Sequence, residues 1–123
     1  MTTLESFQHS IDHLMASSTD IKAVAVISSD GLMLHSNIHD INPDKVAALS
    51  AAVLGLAKKS ASEMNFGALN EIQIKGEDAT YIILAAGAKK VLTLIVDTRC
   101  NIGMINLLAR EAAKQLSEQV ELV

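Results

Sequence analysis

Between residues 46 and 57 the chain reads VAALSAAVLGLA, and Ser50 is the only polar residue in the run. Asn42 and Pro43 stand just ahead of it. An Asn side chain can accept from the first free N–H groups of a helix, Pro is pre-set for the first helical position, and Asp44 suits the positive end of the helix dipole. The spacing predicts a long helix over 43–64, stopped in Asn65-Phe66-Gly67, where Gly67 can take a left-handed cap. A helix that is apolar nearly all the way round is covered on several sides. One sheet in a chain of 123 residues can cover only one of them.

Plotted at ~100° per residue, Val46, Leu49, Val53, Leu56 and Met64 share one side, and Val46, Leu49, Val53 and Leu56 are expected to face the core. Ala47, Ala51 and Gly55, with Ala48 beside them, share the other. Small residues spaced in this way let a second backbone approach closely. Either loops of the same chain cover this side, Ala being simply the best helix former, or it is a subunit interface, for which twofold symmetry is the commonest closed arrangement.

The remaining elements follow from local pattern. Leu4, Phe7, Ile11, Leu14 and Met15 recur at helical spacing and predict a first helix ending near Ser17-Ser18. The apolar run at 23–27, the turn Asp30-Gly31 and the run at 32–34 predict a hairpin, because such a turn needs residues that tolerate positive φ. Strand-like segments follow at 69–75, 79–86 and 90–96, separated by Gly76-Glu77-Asp78 and Gly87-Ala88. The last two are apolar almost throughout, as central strands covered on both faces are. Asn101 can cap a final helix with a stripe of Ile105, Leu108, Ala112 and Leu116. The order is α-β-β-α-β-β-β-α, in one domain over 1–123.

Composition excludes several functions. Aromatic residues are limited to Phe7, Phe66 and Tyr81, the net charge is −4, and the only paired basic residues are Lys58-Lys59 and Lys89-Lys90. Base stacking needs aromatic platforms and phosphate binding needs clustered cations, so a nucleic-acid partner is not expected. The longest apolar stretches are too short to insert in a membrane. A lone Cys100 forms no internal disulfide, and the first residues lack the features of a secretion signal, so a cytoplasmic location is expected.

Chemistry-bearing constellations are missing. His9 and His13 are four apart, but Ser10 stands where a zincin helix needs Glu, and no third ligand follows; His35 and His39 are read as surface residues. Cys100 lies beside Arg99 ahead of a helix, yet has no base or resolving cysteine and is read as a partly buried structural residue. The six glycines form no phosphate-binding loop. No catalytic residue, metal or cofactor is expected. The surplus apolar surface points to an interaction module.

Taken in order, IKAVAVISSDGLMLHS, DKVAALSAAVLGLAKKSASEM, EIQIKGED and DTRCNIGMINLLAREAA resemble the roadblock family, the dynein light chain type of small α/β domain, and within it the stand-alone prokaryotic MglB-like members. The resemblance covers about residues 4–120. It implies a sandwich with a five-stranded antiparallel sheet between helices, the long helix on one face and the terminal helices on the other. It also implies a homodimer joined along the third strand, through Leu69, Glu71, Ile72, Gln73, Ile74 and Lys75, with the long helices packed together. Its implied partner is a Ras-like small GTPase, which such a dimer activates or localises without being an enzyme itself. Other expectations on the residues are a scaffold for a motor or signalling complex and a small-molecule sensor.

Overall fold

The computed structural model describes residues 3–119, with helices α1 (Thr3–Ser17), α2 (Pro43–Glu63) and α3 (Ile102–Glu118) and strands β1 (Ile21–Ser28), β2 (Met33–Ser36), β3 (Ile72–Lys75), β4 (Thr80–Ala85) and β5 (Lys90–Val96). The strands form one antiparallel sheet in the order β2-β1-β5-β4-β3. Side chains alternate between its faces, which divides the interior into two cores. Val24, Val26, Ile82, Leu84, Leu92 and Leu94 pack under α1 and α3, while Ala23, Ala25, Ile27, Ile83 and Val91 pack under α2. The central strands are buried on both faces, as their continuous apolar runs require.

Local chemistry sets the boundaries. The Asn42 side chain accepts from Asp44 N–H at 2.9 Å, and the Asn101 side chain accepts from Met104 N–H at 3.2 Å, so both predicted caps form. After α2 the chain turns through two left-handed residues, Asn65 at φ 60° and Gly67 at φ 85°. The β1–β2 turn is closed by Ser28, whose N–H donates to Leu32 C=O at 2.8 Å and whose hydroxyl accepts from Leu32 N–H at 3.0 Å. Leu32 therefore belongs to the turn and is exposed, and β2 starts one residue later than expected. Leu4 is exposed rather than part of the α1 stripe, and Ala109 and Ala113 join Ile105, Ala112 and Leu116 on the buried side of α3.

The orientation of α2 corrects the expected assignment of its sides. The residues facing the sheet are Val46, Ala47, Ser50, Leu54 and Ala61. Leu49 and Leu56, expected in the core, are 52% and 69% exposed, and Met64, on the same side of the helical plot, is 58% exposed. Ala47 is wholly buried in the second core, so it belongs to no subunit surface. The reason is the β1–β2 turn: a methyl group built on Gly31 would lie 3.7 Å from Ala51 Cβ and 3.8 Å from Ala48 Cα. The small residues at this end of α2 accommodate a turn of the same chain. Ala23, Ala25 and Ser50 are likewise small where the helix meets the sheet.

Candidate interaction surface

What α2 turns away from the sheet is a strip of exposed residues that includes Ala48, Leu49, Ala52, Gly55 and Leu56, bordered by Lys45, Lys59 and Glu63. A methyl group built on Gly55 would touch nothing within 4 Å, so the middle of the strip is open. Full burial of a Leu side chain is worth roughly 1.5–3 kcal/mol. Leu49 and Leu56 thus hold much of their apolar surface unburied. Just past the helix, Met64 and Phe66 continue the apolar exposure, with Phe66 75% exposed.

Beside this helix the sheet ends at β3, which among the described residues bonds to β4 alone and leaves its outer main-chain groups without a strand partner. An edge of this kind is a template for another strand. Pairing of Ile72 with Ile83 and of Ile74 with Tyr81 puts both Ile side chains on the α2 face. Ile74 is 45% exposed there. Gln73 and Lys75 point to the opposite face. The strand begins at Ile72 rather than at Leu69. Just ahead of it Glu71 is ion-paired with Arg110 of α3, with Nη2 2.5 Å from Oε1. Leu69 is half-buried against the α2 core.

Of the expected interface positions, Ala48, Gly55, Ile74, Gln73 and Lys75 are thus exposed, Ala51, Leu69, Glu71 and Ile72 are half-buried, and Ala47 is internal. The helical plot puts Leu49 and Leu56 on one side with Val46 and Val53, and so toward the core. Their exposure becomes legible only once Gly31 is known to occupy the side of the small residues.

The Roadblock/LC7 domain matches residues 8–96. The chain belongs to the Roadblock/LC7 family. It is 29% identical over 97 residues to the uncharacterized protein MJ1340 of Methanocaldococcus jannaschii, covering 78% of this chain and 84% of that protein. Its fold matches that of an MglB with a tetrameric arrangement at TM-score 0.84 and 19% identity, covering 95% of this chain and 89% of that one. Myxococcus xanthus MglB matches at 0.83 with 19% identity, over 94% of this chain and 87% of its own.

Elsewhere on this roadblock domain the polar groups serve the fold. Ser50, the one polar residue of the apolar helix run, is hydrogen-bonded to Tyr81 Oη and accepts from Thr93 Oγ1 at 3.2 Å. Lys90 is 4% exposed, with its Nζ donating to Leu116 C=O at 3.1 Å and lying 6.0 Å from the Phe7 ring centre. Neither role was signalled by the sequence. Asp97 accepts from Arg99 N–H at 2.9 Å and from the Arg99 guanidinium at 3.4 Å. These contacts, the main-chain one foremost, hold its carboxyl below the usual value. Burial pushes the Cys100 thiol up, which suits a structural rather than a reactive residue.

His9, His13 and His39 are exposed, and the His35 ring meets the Gln8 side chain. Among the described residues no three His, Cys, Asp or Glu side chains converge as a metal site, and no helix is long and apolar enough to cross a membrane.

Proposed function

We propose that this roadblock domain forms an isologous homodimer through the outer strip of α2 and the free edge of β3. The dimer regulates or localises a Ras-like small GTPase in the cytoplasm without catalysing a reaction itself, as the family resemblance implies. The observation that carries the reading is the presence of Leu49, Leu56 and Ile74, all strongly exposed, on one face beside an unpaired strand edge. Twofold pairing along β3 would extend one sheet across both copies and bring the two α2 strips toward each other. Of the expected contact residues, Ala48, Gly55 and Ile74 lie on that face, together with Leu49, Ala52 and Leu56.

Sedimentation at micromolar concentration tests the assembly, with a dimer expected. Capture of small GTPases loaded with GTP or GDP tests the partner. Binding that distinguishes the two nucleotide states supports a regulator. A dimer that captures neither state, but retains a motor or signalling protein, overturns the GTPase reading and leaves the scaffold.

A further inference from the structure

At the free edge of the sheet the chain reads Glu71-Ile72-Gln73-Ile74-Lys75, an order that is complementary to itself when reversed. Laid antiparallel against a second copy with Gln73 opposite Gln73, it sets Ile72 against Ile74 and Glu71 against Lys75. Opposite residues of an antiparallel pair share a face of the sheet. The two Ile–Ile pairs therefore fall on the α2 face and the two Glu–Lys pairs on the α3 face, where Glu71 already meets Arg110.

The main chain is oriented for this pairing. Gly76 N–H donates to Ala79 C=O at 2.9 Å, which makes these two residues a hydrogen-bonded pair. Bonded and non-bonded pairs alternate along an antiparallel ladder, so Ile74 with Tyr81 and Ile72 with Ile83 are bonded as well. The N–H and C=O groups of Gln73 and Lys75 then point out of the sheet. Centred on Gln73, a second copy would bond Gln73 to its counterpart and Lys75 to Glu71. The charges are available too. Lys75 is exposed and forms no ion pair among the described residues, and Arg110 engages only Oε1 of Glu71.

Other twofold alignments lose this match. Centring on Ile74 sets Glu71 against Glu77, and centring on Ile72 sets Ile74 against Asn70 and Lys75 against Leu69. Centring on Glu71 or Lys75 puts like charges face to face, which destabilises a pair. The opposite edge of the sheet is no alternative. Along β2 the register shifts between Val26 and Ile27, and both Leu34 and His35 turn to the α1 side. Such a bulge bends an edge strand away from a straight partner.

We propose that β3 selects a second copy of this chain in a register centred on Gln73, fixed by reciprocal Lys75–Glu71 ion pairs between the copies. Each Glu71 then lies between Arg110 of its own chain and Lys75 of the other. The proposal rests on the dimer reading and adds to it the residues that choose the partner edge and its alignment.

Cysteine cross-linking tests the register. Directly opposite, non-bonded positions lie about 4.5 Å apart at Cα, whereas Cα atoms more than about 7 Å apart cannot be bridged without backbone movement. Full-length Ile72→Cys and Ile74→Cys variants, each with Cys100→Ser, are oxidised with copper-phenanthroline alone and as a mixture. A linked dimer is expected from the mixture and from neither variant alone. Should either Cys variant fold poorly, charge exchange gives an independent reading. Lys75→Glu is expected to weaken dimerisation about tenfold, and so is Glu71→Lys combined with Arg110→Glu, which inverts the pair within the chain. Mixed, these two variants restore opposite charges at both contacts and are expected to associate within about threefold of the unaltered chain. Self-linking by one Cys variant, or charge variants that do not associate on mixing, overturns the register. Sedimentation of the unaltered chain separates the two readings: a dimer with either of those results overturns the register alone, whereas a monomer overturns the dimer as well.

Discussion

The hydroxyl of Tyr81 on β4 is hydrogen-bonded to that of Ser50 on α2, and this contact ties the sheet to a helix that is otherwise apolar where it crosses. Ser50 and Thr93 are both wholly buried, so the group at risk is a hydroxyl that cannot turn to water. Leaving a buried polar group without a partner costs about 1–3 kcal/mol. Ser50→Ala deprives both Thr93 and Tyr81 and should cost that much in urea unfolding. Tyr81→Phe leaves Ser50 bonded to Thr93 and should cost less, about 0.5–1.5 kcal/mol. The reverse ranking would show that Thr93 does not sustain Ser50.

Two substitutions on α2 separate folding from assembly. Ala47→Leu enlarges a residue wholly buried against the sheet and should destabilise by about 1–3 kcal/mol through overpacking. Leu56→Glu acts on an exposed residue and should leave the fold within about 0.5 kcal/mol, the range for exposed positions. In a twofold contact it places a charge in the interface from both copies, so dimerisation should be lost. Gly55→Glu is expected to behave in the same way, since its position is open within one copy. Thermal unfolding together with sedimentation reads both effects. A Leu56→Glu protein that still dimerises places the interface elsewhere.

The ion pair of Arg110 with Glu71 holds the segment entering β3 against α3. Its Arg side chain is 49% exposed, so Arg110→Ala should cost no more than about 1 kcal/mol overall. The local effect should be larger. Amide hydrogen exchange over Ile72–Lys75 is expected to accelerate relative to β5. Uniform acceleration of all strands would mean that the pair supports the whole fold rather than its edge.

Lys89 and Lys90 are adjacent, yet only the second is buried. Lys90→Met keeps an apolar stem beside Phe7 but removes the donor to Leu116 C=O, a loss of about 1–3 kcal/mol. Lys89→Met should change stability by less than about 0.5 kcal/mol. Equal effects in thermal unfolding would contradict the asymmetry.

The raised pKa of Cys100 carries a sign. Its thiol form favours the fold, so that contribution is present below the ordinary cysteine value and is lost as pH rises through the folded one. Alkylation by iodoacetamide at pH 8 should be slower than for an unfolded control and should accelerate only at higher pH. Alkylation as fast as the control's would show an ordinary, accessible thiol.

Much of the architecture was legible because it is written in short-range chemistry. Asn42-Pro43, Asn101, Gly31 and Gly67 act on their own neighbourhoods, and the continuous apolar runs of β4 and β5 mark inner strands whatever surrounds them. The side of α2 that faces the core was not legible. Periodicity measures where residues lie around a helix axis, not which neighbour each direction meets. Val46 and Val53 do face inward, whereas Leu49 and Leu56, which share their side of the helical plot, lie far enough round the axis to face outward. The structure reserves that layer for Ala47, Ser50 and Leu54, since Gly31, Ala23 and Ala25 let the helix approach closely. Ser50 and Lys90 escaped for a related reason: a polar residue in a core is recognisable only with its partners, which come from distant β4 and β5 for Ser50 and from α3 for Lys90.

The β1–β5 ladder is the one place where the two halves of the sheet join. On one side stands the β1–β2 hairpin, on the other the β3–β4–β5 meander, each built from consecutive segments, while Ile21 pairs with Val96 across most of the chain. Local pairings form at small entropic cost, but joining these two units requires closing the long connection that contains α2. Refolding should therefore be paced by this encounter. Flexible residues inserted between β2 and α2 should slow it while lowering equilibrium stability by only about 0.6 kcal/mol for each doubling of the loop.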